Sequence, residues 1–230
     1  MHLIIANKLY SSWSLRAWML LKAFDIEFEE TLIAMYKPDT KDQMLKYGPT
    51  GKVPVLVDGE ATVWESLAIV GHVTERFPDK NIFPADPVAR PHARSTCNEM
   101  HAGFTGLRSQ CPMNLTARFE YKFRGEEVEA DVNRLEAMWA DARSRFGQGG
   151  PFMYGEFSCA DAMYAPVVTR LDTYQIPVSD QAREYMDAVL NHPAFLAWKE
   201  EAFKEPWFVD HYEEGETVSE RFYLPEEASV

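Results

Sequence analysis

The sequence predicts an α/β domain built on a four-stranded mixed sheet, followed by an all-helical domain. Three observations carry this reading. Strand and helix signals alternate through residue 77 in the order β-α-β-α-β-β-α. Three prolines, Pro78, Pro84 and Pro87, then punctuate residues 78–87. Beyond them strand signals fade, and apolar residues recur at helical spacing. The expected division is an α/β domain over 1–79, a linker over 80–87, a helical domain over 88–211 and an acidic tail over 212–230.

His2 to Ala6 is an apolar run that suits a buried first strand. Leu15, Trp18, Met19, Leu21 and Phe24 then follow helical spacing from Ser12 onward. Residues 27–33 partly alternate, as an edge strand does, and 39–47 is a short helix ended by Gly48-Pro49-Thr50-Gly51. Val53 to Val57 and Ala61 to Trp64 read as two strands joined by the Asp58-Gly59 turn signal. Glu65-Ser66 opens a helix that runs to about Phe77. In the second half, helices are expected over 88–110, 126–146, from Ser158 onward, 179–190 and 193–203. Ser158-Cys159-Ala160-Asp161 has the spacing of a helix capping box. The tail beyond 212 is rich in glutamate, with Arg221 its one base, and reads as either mobile or docked.

Composition narrows the function. The net charge of −13 repels phosphate backbones and anionic lipid heads, which argues against nucleic acid and membrane partners. Cys97, Cys111 and Cys159 are odd in number and lack Cys-x-x-Cys spacing. Neither a disulfide framework nor a zinc site fits them, so no metal is expected. Three reduced thiols, with no apolar run of membrane-spanning length and no signal-peptide pattern, suit a cytoplasmic protein.

Three local features carry chemistry, and each also has an ordinary structural explanation. Tyr10-Ser11-Ser12-Trp13-Ser14-Leu15-Arg16 lies at a strand-to-helix junction, where free N–H groups and a serine hydroxyl can meet an anion such as a thiolate. Serines there also simply cap helices. Lys52-Val53-Pro54 begins a strand at a proline. A cis bond there would turn the Val53 amide groups outward, toward an extended peptide ligand. A trans proline merely ends the loop. Glu65-Ser66 opens a helix, a place suited to a carboxylate and, through Glu65, to an ammonium group. An acid and a serine at a helix start also need no ligand.

Taken in order, these features resemble the glutathione transferase superfamily over about residues 1–210. The matching stretches are Ser11-Ser12-Trp13-Ser14-Leu15-Arg16, Gly51-Lys52-Val53-Pro54-Val55-Leu56, Glu65-Ser66-Leu67-Ala68-Ile69 and Ser158-Cys159-Ala160-Asp161. The resemblance implies a thioredoxin-like first domain, glutathione as co-substrate, and a homodimer. It places Ser11 at the glutathione sulfur, with Ser12 and Ser14 as rival candidates. Val53, with Pro54 cis, would pair with the cysteinyl backbone. Glu65 and Ser66 would hold the γ-glutamyl end, and Lys52 would stand near the glycyl carboxylate. Trp13, His101, Phe104 and Arg108 are the expected lining of an acceptor pocket between the domains.

The implied activity is transfer of glutathione to an electrophilic small molecule. A glutathione-dependent cis–trans isomerase acting on a dicarboxylate, as in the zeta class, is the alternative. A non-catalytic interaction module that kept the fold is another. Zeta relatives carry Ser-Ser-Cys-Ser where this chain has Ser11-Ser12-Trp13-Ser14, so Trp13 departs from the isomerase pattern.

Overall fold

The computed structural model describes residues 1–224. The first strand, β1 (His2–Ala6), is followed by α1 (Ser12–Ala23), β2 (Glu29–Ile33), α2 (Thr40–Leu45), β3 (Val55–Asp58), β4 (Ala61–Trp64) and α3 (Ser66–Arg76). The sheet order is β2-β1-β3-β4. β1 pairs parallel to β2 and antiparallel to β3, and β3 pairs antiparallel to β4. This is the four-stranded mixed sheet expected from the sequence. β1 lies inside it, covered on both faces, which explains its unbroken apolar run. Ile4 and Ala6 pack with Ile33, Val55 and Met44 of α2 on one face. Leu3 and Ile5 join α1 and α3 in the main core on the other. The β3–β4 hairpin turns through Gly59 at φ +62°, a conformation that glycine adopts without strain.

The second half comprises α4 (Ala89–Ala102), α5 (Thr105–Gln110), β5 (Ala117–Phe119), α6 (Glu126–Phe146), α7 (Cys159–Thr173), α8 (Asp180–Leu190), α9 (Pro193–Ala202) and β6 (Val218–Arg221). α7 is the central helix and is buried on nearly every side, so its sequence is apolar all round rather than amphipathic. Asp161 accepts hydrogen bonds from the Ser158 N–H at 2.8 Å, the Ser158 hydroxyl at 3.0 Å and the Met153 N–H at 3.2 Å. The residue expected to cap this helix therefore also ties down the loop before it.

Two expectations need correction, and the open question of the tail is decided for its described residues. The helix expected over 88–110 is two helices. Gly103 is extended and Phe104 sits at φ +57°, which ends α4 and starts α5 at a new angle. The helical domain also holds a small sheet, with β5 antiparallel to β6. Strands this short leave too few residues for alternation to register. The described part of the tail, 212–224, is docked on the chain itself and is not free. Glu213 pairs with Arg221 at 2.6 Å, and Glu216 with Arg124 at 2.7 Å. Tyr223 donates to the Glu205 carbonyl at 2.9 Å. Two of the tail acids thus pair with arginines, Glu216 with the buried Arg124 side chain and Glu213 with Arg221. Residues 225–230 lie outside the described residues.

The two domains meet at Lys8, in the loop between β1 and α1. Its side chain is only 3% exposed and lies between the indoles of Trp18 and Trp198. The ammonium pairs with Glu30 at 2.7 Å and with Glu201. The Lys8 N–H donates to Glu205 at 2.6 Å, and Trp198 Nε1 donates to the Lys8 carbonyl at 3.0 Å. Burial pushes the Glu205 carboxyl up to about 7, against the pull of the Lys8 and Leu9 amides. Its folded pKa thus exceeds its unfolded value. The protonated form contributes stability below about pH 4.5, and that contribution is lost as pH rises through about 7.

Glu205→Gln lacks this proton. Wild type should therefore lose roughly 2–3 kcal/mol relative to the variant between pH 5 and pH 8. Urea unfolding across this range measures the difference, and a flat difference would place the Glu205 pKa in the ordinary carboxylate range.

Candidate active site

The site begins where β1 hands over to α1. The loop turns on Asn7, whose carbonyl accepts from the Tyr10 and Ser11 N–H groups at 3.1 and 2.8 Å. Asn7 Oδ1 accepts from the Met35 N–H at 2.6 Å, which fixes the loop to the end of β2. Ser11 is the N-cap of α1. Its Oγ lies 2.8 Å from Ser14 Oγ and accepts from the Ser14 N–H at 3.4 Å. Ser14 Oγ in turn accepts from the Ala6 N–H at 3.0 Å.

Proton counting orients this chain. Ser14 is fully buried and has no other acceptor for its hydroxyl hydrogen, so that hydrogen goes to Ser11 Oγ. Ser11 then accepts twice, and its own hydrogen has no use inside the protein. Ser11 is 7% exposed, so this hydrogen can reach a group in the groove. Of the rival serines, Ser14 is consumed by the chain. Ser12 is half-buried and accepts from Arg170 at 3.3 Å.

Beside this helix start is a recess of about 120 Å³ lined by Trp13, Thr50, Lys52, Val53, Pro54, Trp64 and Glu65. The Val53–Pro54 bond is cis. Among the described residues, neither the N–H nor the C=O of Val53 has a hydrogen-bond partner. Lys52 is exposed at the rim. Glu65 holds φ +69°, ψ 129°, a backbone conformation that costs a non-glycine residue on the order of 1–3 kcal/mol. Ser66, the first residue of α3, is 1% exposed, and its Oγ has no partner. A buried hydroxyl and a half-exposed peptide unit are thus unsatisfied beside one another's elements, at the edge of one recess. Such groups are usually paired, so an incoming polar ligand has partners waiting.

The residues expected to line an acceptor pocket divide. Trp13 stands on the recess with its ring flanked by two guanidinium groups, Arg16 at 4.3 Å and Arg108 at 5.0 Å from the centroid. His101 meets the Trp13 ring edge-on at 5.2 Å, and its Nε2 is 3.7 Å from Glu65. Burial first, then Arg16, lower the His101 pKa against the pull of Glu65, which favours the neutral imidazole. Phe104 departs from expectation. It is 6% exposed and packs against Tyr164 in the helical core. Thr50, Trp64 and Arg170 were not anticipated. The first two belong to no motif, and Arg170 lies 158 positions from the Ser12 that it contacts. Its one sequence signal is that it is the single basic residue of a mostly apolar helix.

Among the described residues, no group of three or more His, Cys, Asp or Glu could hold a metal ion, and no helix is long and apolar enough to cross a membrane. All three cysteines are free and buried.

Comparison with known proteins places these features. The glutathione S-transferase N-terminal domain family matches residues 10–76, and the corresponding C-terminal domain family matches residues 125–201. A probable maleylacetoacetate isomerase from Caenorhabditis elegans is 25% identical over 190 residues, covering 81% of this chain and 86% of the relative. A zeta-class glutathione S-transferase from Euphorbia esula is 30% identical over 167 residues, covering 68% of this chain and 69% of the relative. A glutathione transferase homolog from Burkholderia gl BGR1, solved with bound glutathione, superposes with a TM-score of 0.66 at 20% identity, covering 87% of this chain and 96% of that one.

The unpartnered Ser66 hydroxyl gives a direct test of the recess. Ser66→Ala removes no hydrogen bond from the fold, so its melting temperature should equal or exceed that of wild type. Its glutathione affinity, read by calorimetry, should fall roughly 10- to 150-fold, the loss of about 1.5–3 kcal/mol for one hydrogen bond to a charged group. Unchanged affinity would show that the hydroxyl does not face the ligand.

Proposed function

The chain belongs to the glutathione S-transferase family, and on that premise we propose that it conjugates glutathione to an electrophilic small molecule, with Ser11 donating its hydroxyl hydrogen bond to the sulfur. The observation that supports this most is the uncommitted hydrogen of Ser11. The Ala6 N–H, Ser14 and Ser11 form a chain of donors aimed outward. Val53 offers an N–H and a C=O to the cysteinyl residue, in the manner of an added β-strand. Glu65 and Ser66 hold the γ-glutamyl end, and Lys52 faces the glycyl carboxylate.

The energetics fit the task. A free thiol titrates near ~8.5, so little thiolate exists at neutral pH. Lowering that value by about two units requires roughly 2.7 kcal/mol of preferential thiolate stabilisation. A hydrogen bond to a charged group contributes about 1.5–3 kcal/mol, and the α1 N-terminus adds about 0.3–1. The thiol gives its proton to solvent. The sulfur then forms a bond to the electrophilic carbon while the leaving group departs.

Glutathione-dependent isomerisation is the second reading, favoured by the full-length similarity to a probable isomerase. There the thiolate adds to a double bond and leaves again, so the free-thiol count stays constant over many turnovers. Conjugation consumes one thiol per turnover.

Ser11→Ala should lower turnover about 100-fold, from the loss of roughly 2.7 kcal/mol, while glutathione affinity changes little. The bound thiol should titrate closer to its free value, which thiolate absorbance against pH will report. Unchanged turnover would remove Ser11 from the mechanism and bring Ser12 forward.

A further inference from the structure

Three arginines converge behind Trp13 with no acid to balance them. Arg16 comes from α1, Arg108 from α5 and Arg170 from α7. Arg16 is 2% exposed, and its Nε and Nη1 have no hydrogen-bond partner. Arg108 donates only to the carbonyls of His101 and Gly103, at 3.2 and 3.0 Å. Arg170 donates to the carbonyls of Cys111 and Pro166, at 2.8 and 2.9 Å, and to Ser12 Oγ. Among the described residues, no carboxylate lies within ion-pair distance of any of the three. By contrast, Arg118, Arg124, Arg134, Arg143 and Arg221 all have acidic partners.

This arrangement is costly in a folded chain. A buried charge without its counter-ion costs several kcal/mol, and like charges sharing a site add to that. Burial, followed by repulsion from Arg170 and Arg108, lowers the Arg16 pKa to about 9. Burial, followed by repulsion from Arg108, lowers that of Arg170 to about 10. Both remain cations at neutral pH. The protein as a whole carries −13 and repels small anions, so an anion can be drawn into this cleft only by a local excess of positive charge. The excess is not sealed off. Ser12, Trp13 and Arg108 are all half-buried, Ser12 and Trp13 directly follow Ser11 in the chain, and Arg108 lies against the Trp13 ring.

We propose that Ser12, Arg108 and Arg170, backed by Arg16, form a carboxylate-binding subsite for the second substrate of the Ser11 centre. This rests on the functional reading above and narrows its unspecified electrophile to a carboxylate-bearing one. The guanidinium forks match a planar carboxylate in bidentate geometry. The Trp13 ring touches both Arg16 and Arg108 and also lines the recess assigned to glutathione. A substrate whose carboxylate is anchored on these arginines would thus lie next to that recess, with its electrophilic carbon directed toward the sulfur.

A matched pair of probes tests this: 4-chloro-3,5-dinitrobenzoate and its methyl ester, which differ at one carboxyl group. The protein is first loaded with S-methylglutathione, which has no free thiol, so binding is read by tryptophan fluorescence without reaction. Wild type should bind the acid at least about tenfold more tightly than the ester, one bidentate ion pair's worth. Raising the salt concentration should weaken only the acid. Arg108 is half-exposed and bonds only to carbonyls, so Arg108→Gln should fold and should reduce the preference below about threefold. Arg108→Lys should restore part of it.

Equal binding of acid and ester by wild type overturns the proposal, as does a preference that survives in both Arg108→Gln and Arg170→Met. An equal loss of S-methylglutathione affinity in Arg108→Gln would also overturn it, by assigning the arginines to glutathione. Failure of the underlying reading is visible separately. In that case wild type would not bind S-methylglutathione by calorimetry, while the acid–ester comparison could still be made without it.

Discussion

Helix α1 is enclosed by the sheet and α3 on one side and by α7 and α9 on the other, and residues Ser14 to Leu21 are buried without a break. A helix held this way cannot rotate or slide without opening both halves of the core. Its first turn is therefore a fixed platform. Ser11, Ser12, Trp13, Ser14 and Arg16 all occupy that turn or its edge. The sheet sets the direction of Ser11 through the Ala6 N–H, and α7 sets that of Ser12 through Arg170. The candidate site is thus a product of where two domains clamp one helix.

The same clamp accounts for the unusual placement of charge. Near the loop before α1, the Lys8 cation is buried but balanced by Glu30, Glu201 and the face of two indoles. On the groove side, Arg16 and Arg170 are buried and unbalanced. Balanced burial holds the domains together, and its parts are all accounted for within the chain. Unbalanced burial weakens the fold and gains a use only when something from outside completes it. The unpaired Val53 peptide groups and Ser66 hydroxyl follow the same logic. Trp13 touches Arg16 and Arg108 and lines the same recess as Val53.

Trp13 also bears on how this chain relates to its relatives. The sequence similarity spans most of the chain, but where the zeta-class pattern that the sequence resembles has a cysteine after two serines, this chain has Trp13. An indole supplies a flat wall and a π-face for two cations, and it supplies no nucleophile. Under the proposed function, the chemistry would come from the glutathione sulfur and from the groups that hold it.

Much of the fold was legible in the sequence because it rests on local signals. An unbroken apolar run marks β1, helical spacing marks α1 and α6, Gly59 marks the hairpin, and the Ser158–Asp161 spacing marks the start of α7. The order of Ser11, Val53-Pro54 and Glu65-Ser66 likewise pointed to one groove, since each sits at the end of a recognisable element. The rest depended on contacts between distant segments, which leave no local pattern. The break at Gly103–Phe104 buried Phe104 in the core instead of the cleft. The pairing of β5 with β6 brought together residues about 100 positions apart and docked a tail that its own composition left open as mobile or docked. That Ser14 has no hydrogen to give to a ligand, while Ser11 has one, was decided by the packing that buries Ser14 against Ala6. That three arginines share one space was decided by the crossing of α1, α5 and α7. Local sequence determines which elements form; only their three-dimensional closure determines which polar groups are left without partners, and those are the groups a ligand can use.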